Sequence, residues 1–232
     1  MLTTFIDKKS QVTSIAKFLD IVVPDYYFTD DAIKNDMLTY HNIHHMMSVC
    51  CIAFSDLMQG PQGFVLTKSE QQILFLSCMI HDFHHKQESG NDYININNAV
   101  SYVETKLYEW FPTYSKSYSE VLKWYVKDTI KCTEFPFKHE PMTRVQQIIR
   151  DCDLMMFTQI DGGIYLKGLC NEMKMYDLTG EQAVQQHFEF MKSIRWYTAM
   201  GQQQYDLYYS SSYEPQIADH WLSVCNQFNQ VI

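Results

Sequence analysis

An all-α fold, a bundle of about nine helices, is predicted for this 232-residue chain by three observations. Apolar residues recur at steps of three and four in segment after segment. Strict alternation over a strand's length is hard to find. Three segments, Thr67-x-x-Glu70, Ser117-x-x-Glu120 and Thr179-x-x-Gln182, have the form of a capping box just ahead of a periodic run. In a capping box, a side-chain oxygen and a carboxylate or amide satisfy the first free backbone N–H groups of a helix.

In chain order, the periodicity predicts helices over 8–20, 41–59, 68–82, 93–110, 118–133, 142–157, 162–176, 180–200 and 214–229. Helix-breaking residues punctuate them. Gly60-Pro61-Gln62-Gly63 follows the second helix, Phe111-Pro112 the fourth, and a stretch from Phe135-Pro136 to Glu140-Pro141 separates the fifth from the sixth. Asp161-Gly162-Gly163 precedes the seventh, and a serine run from Ser210 to Ser212 precedes the last. Gln and Tyr crowd together near 202–213. The chain therefore reads as a single domain over 1–232, with a core at about 38–200 and a peripheral C-terminal arm at about 202–232. Neither an internal repeat nor a low-complexity tract is visible.

Composition narrows the function classes. The chain is 46% hydrophobic and 19% charged with only 8 Gly and 6 Pro, a profile for a compact globular core and not for a disordered tail. Its 27 acidic against 18 basic residues give a net charge of -9, and the arginines are Arg144, Arg150 and Arg195. No clustered Lys/Arg surface is present to displace the counterions of a polyanion, which argues against a nucleic-acid groove. Apolar runs such as Ile73 to Leu76 are far shorter than a membrane span, and the N-terminus lacks a signal pattern. The expected setting is soluble and cytoplasmic. The seven cysteines are odd in number and lack a Cys-x-x-Cys pair, so they read as reduced core residues.

Three clusters carry chemistry. The first, Tyr40-His41-Asn42-Ile43-His44-His45, opens a predicted helix, where His41 and His45 would share a face and converge on one ion or substrate. The alternative is a set of capping or surface histidines. The second, Ile80-His81-Asp82-Phe83-His84-His85, ends an apolar helix, where charge left uncompensated in the interior would be costly. The third, Arg150-Asp151-Cys152-Asp153-Leu154, sets two acids in an apolar helix. Asp151 is expected to be solvent-facing and capped by Arg150, and Asp153 to point inward. Two imidazoles and two carboxylates form a mixed N/O set suited to Zn, Mn, Fe or Mg.

A His, then His-Asp, then a distant Asp resembles the HD-domain superfamily of metal-dependent phosphohydrolases. Tyr40-His41-Asn42-x-x-His45 is similar to the Tyr-His-Asn-x-x-His motif of cyclic nucleotide phosphodiesterases. Cys152-Asp153-Leu154 is similar to the segment around their last metal ligand, and Cys132-Thr133-Glu134 is a looser counterpart of their Thr-Asp segment. Asn91, Asn95 and Ile194-Arg195-Trp196-Tyr197-Thr198 also resemble blocks of small bacterial predicted HD phosphohydrolases. The likeness runs from about 38 to 200 and is specific at the metal blocks.

The resemblance implies an HD-type helical bundle that binds one or two divalent ions. It implies that His45, His81, Asp82 and Asp153 hold the principal ion, with Asp82 able to bridge to a second, and that His41 protonates the leaving oxygen. His85 and Glu134 match positions near a second ion or phosphate. The expected partner is a small phosphorylated substrate of nucleotide type, a phosphodiester or phosphomonoester. The glutamine and aromatic clamp that holds a purine in the phosphodiesterases is not found, nor are the extra His-Asp and Glu-Asp elements of alarmone hydrolases. The shortage of arginine argues against a triphosphate. Two alternatives stand beside this reading: a di-iron oxygenase on an HD scaffold, using His84 and His85, and a non-catalytic nucleotide sensor.

Overall fold

The computed structural model describes residues 5–28, 39–59, 66–86, 92–158, 162–173 and 178–209. Among them the regular structure is helical throughout: α1 (Phe5–Phe18), α2 (Ile43–Gln59), α3 (Lys68–Ile80), α4 (Asp92–Lys106), α5 (Lys116–Ile130), α6 (Arg144–Leu154), α7 (Gly162–Glu172), α8 (Gly180–Ser193) and α9 (Ala199–Tyr209). Short 3-10 turns cover Asp25–Phe28, Leu107–Trp110, Lys131–Thr133 and Met155–Thr158. No described helix is long and apolar enough to cross a membrane. The helix expected over 214–229 lies outside the described residues.

The chain forms two compact units, one from Met1–Asn35 and His41–Asp153, the other from Asp36–Tyr40 and Leu154–Ile232. In the first unit α3 is the central rod, and every residue from Gln72 to Ile80 is buried. A helix apolar on all sides has no solvent face, so it must be wrapped; α2 and α5 pack against it. Its polar Gln72 is satisfied from both ends: its Nε2 donates to the Leu19 carbonyl at 2.7 Å, and Tyr118 Oη donates to its Oε1 at 2.5 Å. Aromatic rings pack beside the rod: Phe75 of α3 lies 6.5 Å from Trp110, which meets Tyr27 edge-on at 5.1 Å, and Phe83 lies against Tyr102 at 3.8 Å.

Local chemistry sets the helix starts. The Thr67/Glu70 and Thr179/Gln182 capping boxes are both formed. The third is shifted: Ser115, not Ser117, caps α5 by accepting from Tyr118 N, and Glu120 pairs with Lys123 instead. A further reciprocal pair opens α6, where Gln146 N donates to Thr143 Oγ1 at 3.3 Å and Thr143 N donates to Gln146 Oε1 at 2.9 Å. The single helix expected over 180–200 is two. The backbone turns extended at Ile194, and Thr198 starts α9 by accepting the Gly201 N–H at 2.9 Å.

The second unit is held by a cluster of Tyr40, Phe157, Leu166, Val184, Phe188, Met191 and Tyr209. Part of the segment read as the start of an arm thus sits in this core. Tyr209 Oη also donates to the Phe157 carbonyl at 3.0 Å. Thr39 and Tyr40 run close beside α7: Thr39 Oγ1 donates to the Gly168 carbonyl, and Tyr40 N donates to Glu172. A Cβ at position 168 would lie 2.6 Å from the Thr39 carbonyl oxygen, so glycine is what permits this approach.

Candidate metal centre

Three segments of the first unit bring His45, His81, Asp82 and Asp153 together, with one donor atom from each lying within 4.8 Å of the others. His45 sits in the first turn of α2, whose start is fixed by Asn42: its Oδ1 accepts the backbone N–H groups of His44 at 2.9 Å and His45 at 3.2 Å. His81 caps the buried end of α3, its N–H bonded to the Ser77 carbonyl at 3.0 Å, and so delivers Asp82 to the same point. Asp153 comes from the last turn of α6.

The donor-atom spacing is compatible with a coordination shell. His45 Nε2 lies 3.0 Å from Asp153 Oδ1, 3.2 Å from Asp82 Oδ2 and 3.3 Å from His81 Nε2. His81 Nε2 lies 3.2 Å from Asp82 Oδ2 and 3.4 Å from Asp153 Oδ1. Ligand bonds of about 2.1 Å meeting at octahedral to tetrahedral angles put donor atoms about 3.0–3.4 Å apart. His81 Nδ1 donates to the Cys78 carbonyl at 3.0 Å, so in the neutral ring the Nε2 lone pair faces the centre. Asp82 Oδ2 is buried with a ring nitrogen on either side, yet makes no hydrogen bond of ordinary geometry with a described residue. A cation between the four atoms satisfies all of them at once, so the residues fit a divalent ion.

Without a cation, protons must balance the charges. Burial works against a charged His81, but Asp82 and Asp153 outweigh it and hold that imidazole well above its usual range. Burial likewise opposes ionisation of Asp82 and Asp153; for Asp82 the charges of His81 and His41, and for Asp153 the bonds from His45 and His81, keep each carboxyl well below the usual range. A bound ion takes over the role of these protons.

A second group, His41, Asp82 and His85, shares the Asp82 carboxylate. His41 does not lie on α2, as its spacing from His45 suggested; it precedes the Asn42 cap, and its ring is 6.0 Å from that of His45 at a steep angle. It stacks instead on His85, 3.8 Å away and within 8° of parallel. His84 takes a left-handed backbone, φ 60°, which turns its own side chain to the surface and brings His85 back toward the site.

The remaining sequence-predicted residues fall elsewhere. Glu134 is buried, but it faces Lys138 Nζ at 2.5 Å and His139 Nε2 at 3.7 Å and belongs to neither ligand group. Asp151, expected at the surface, is fully buried. Arg150 is buried too: its guanidinium lies 3.8 Å from the Phe137 ring centroid and donates to the Cys132 and His139 carbonyls. These contacts hold the guanidinium in the interior. His44 is exposed. Asn91 lies outside the described residues. The sequence reading missed Asp92, whose Oδ1 is 3.9 Å from His85 Nε2 and whose Oδ2 accepts the Phe135 N–H at 2.6 Å; its only signal was an acidic residue opening a helix after Gly90.

No family model and no curated protein sequence matches the chain. Among solved structures, the phosphodiesterase domain of Salpingoeca rosetta rhodopsin phosphodiesterase has a similar fold, with a TM-score of 0.58, 12% identity, and coverage of 99% of this chain and 91% of that one. The chain thus has a phosphodiesterase-like helical fold and a buried His/Asp cluster that could hold a metal ion.

Proposed function

We propose that the protein is a metal-dependent phosphohydrolase, with His45, His81, Asp82 and Asp153 as ligands of a divalent ion, Zn, Mn, Mg or Fe, and a nucleotide-type phosphodiester or phosphomonoester as substrate. The observation that carries this reading is the convergence of two imidazole nitrogens and two carboxylate oxygens at 3.0–3.4 Å, with His81 Nε2 aimed inward by the Cys78 carbonyl. The phosphodiesterase-like fold supports it. A divalent ion held there supplies Lewis acidity toward phosphoryl oxygens and an activated water.

The chain's own residues do the rest. Asp82, shared by both ligand groups, joins the ion site to the His41/His85 pair. His41 stands at the edge of the cluster on a non-helical turn, where its imidazole can donate a proton to a departing alkoxide. His85, grouped with His41 and Asp82, is the residue assigned in this reading to the phosphate or second-ion side of the site. Glu134, engaged by Lys138, orders the loop after α5.

The test is metal analysis of the purified protein, then turnover of cyclic, linear and monoester nucleotides with Mn, Mg, Zn and Ni. Hydrolysis dependent on added or resident metal is the expected result. Iron with a mixed-valence spectrum would select an oxygenase, and bound metal without turnover of any phosphoester would select a sensor. The role of His41 is tested by His41→Asn. A general acid matters most for a poor leaving group, so a natural nucleotide should slow by roughly 10²-fold or more while a nitrophenyl phosphoester slows far less, at unchanged metal content. Loss of the ion and of both activities together would make His41 a ligand.

A further inference from the structure

The side of the site away from the four ligands is built around one buried amide, Asn95, in the first turn of α4. Its Oδ1 accepts the Lys86 backbone N–H at 2.8 Å. A backbone N–H can only donate, so the amide's orientation is fixed by it: a flipped Asn95 would oppose donor to donor. The NH2 group therefore points the other way, and both of its hydrogens are used. One goes to His85 Nε2 at 2.9 Å, the other to Asp92 Oδ1 at 3.4 Å. Because an amide nitrogen has no lone pair to offer, His85 Nε2 must be the acceptor in that bond. The ring's proton in the neutral form is then on Nδ1, and Nε2 is withheld from any ion.

We infer that Asn95 is a positioning residue that locks both the tautomer and the plane of His85, so that His85 serves as the flat support on which His41 stacks and not as a ligand through Nε2. This deepens the proposed function and rests on the role given there to His41. The stack, 3.8 Å between ring centroids and 8° from parallel, leaves the His41 ring little freedom to tilt while the plane of His85 is fixed. Three further bonds hold the support in place: His85 N to the Asp82 carbonyl at 3.1 Å, Asn98 Nδ2 to the His84 carbonyl at 3.0 Å, and Phe135 N to Asp92 Oδ2. A general acid loses effectiveness quickly when misaimed, so an amide that never touches the substrate can still govern proton delivery.

The discriminating variant is Asn95→Asp. It keeps the acceptor for Lys86 N–H but replaces the donor to His85 with a second acceptor, which favours the opposite tautomer. The experiment uses zinc-loaded full-length protein labelled with 15N-histidine, with the His85 signals assigned by their loss in His85→Asn. Long-range 1H–15N correlations should show the Nδ1–H form in the parent and the Nε2–H form in Asn95→Asp. Hydrolysis of a nucleotide with a poor leaving group should fall roughly 10–100-fold, the scale for outer partners of a site, with kcat affected more than KM. A nitrophenyl phosphoester should fall less, at parental zinc content.

An Nε2–H form in the parent overturns the inference, and so decides the matter even if the variant does not fold. A reversed tautomer with unchanged nucleotide hydrolysis, or an equal fall of both substrates with loss of zinc, overturns it as well. If the parent hydrolyses no phosphoester, the proposed function fails, and the parent's tautomer separately confirms or refutes the Asn95–His85 assignment.

Discussion

His81 in the first unit and His187 in the second are both buried, yet their surroundings push them in opposite directions. His187 lies 4.6 Å from the Phe157 ring and 6.1 Å from that of Phe190, with the Tyr209 hydroxyl 3.4 Å from its Nε2 and no carboxylate shifting its charge, and burial drives its pKa down to about 3. His81 feels the same burial, but two carboxylates reverse the outcome. An interior histidine without an acid becomes a neutral core residue; one facing Asp82 and Asp153 becomes half of a charge-bearing site that a cation can claim. The pairing of His with Asp, and not burial, separates the two regions.

The strongest way to break that contrast is Asp82→Ala, which removes the carboxylate lying between both imidazoles. Metal stoichiometry should fall to background and hydrolysis with it. For the parent, an ion at about 100 times its dissociation constant contributes about 2.7 kcal/mol to stability, so chelation should lower the parent's Tm and leave that of the variant unmoved. Unchanged metal content in Asp82→Ala would remove Asp82 from the ligand set. Asp151→Ala is unsuitable as a neutral control, since Asp151 is wholly buried and its loss would damage packing; Glu120→Ala, 55% exposed, serves instead.

A smaller effect should come from the second unit. Between pH 6.5 and about 3 the unfolded chain takes up a proton at His187 that the folded chain refuses. The unfolded state binds more protons there, so stability rises with pH across that window and is lost as the pH falls below 6.5. The loss from this one group is about 2 kcal/mol by pH 5. His187→Phe should flatten that part of the acid limb in urea unfolding at pH 5 and 7. An unaltered pH dependence would mean that His187 is protonated in the folded protein.

Most of the fold was legible because its signals are local. The three-and-four periodicity marks α6, a continuous apolar run marks the wrapped α3, and reciprocal side-chain caps mark α3 and α8. Elements were misread where a nearby residue competed for the same role. Asn42, not His41, begins α2, because its side chain reaches two free N–H groups; Thr198 begins a new helix where periodicity suggested continuation. The four clustered donors were legible as residue types in three separate blocks. Their distances, the His41–His85 stack and the hydrogen bonds of Asn95 were not, since they depend on how α2, α3, α4 and α6 meet. Arg150 and Asp151 show the converse limit: charge in a sequence suggested a surface, while carbonyl partners and an aromatic face make Arg150 an interior residue.

The smallest expected effect separates two serines that sequence alone made hard to distinguish. Ser117-x-x-Glu120 has the form of a capping box, but α5 begins at Lys116, which places Ser117 already inside the first turn. Ser115 has the extended backbone of a cap, ψ 151°, and its Oγ accepts the Tyr118 N–H at 3.3 Å. Removing a capping hydroxyl leaves a helix-end donor without that partner and costs about 1 kcal/mol. Ser115→Ala should therefore lower unfolding stability by about that amount, while Ser117→Ala should stay within about 0.5 kcal/mol of the parent, because the exposed Ser117 Oγ, 3.1 Å from the Ser115 Oγ, is not the group that accepts the Tyr118 N–H. Both sites lie in the first unit, at the end of α5 opposite the loop that carries Glu134, so metal content should not change in either variant. If Ser117→Ala were the costlier of the two in denaturant unfolding, α5 would start two residues later, and Glu120 would turn back to the cap instead of pairing with Lys123.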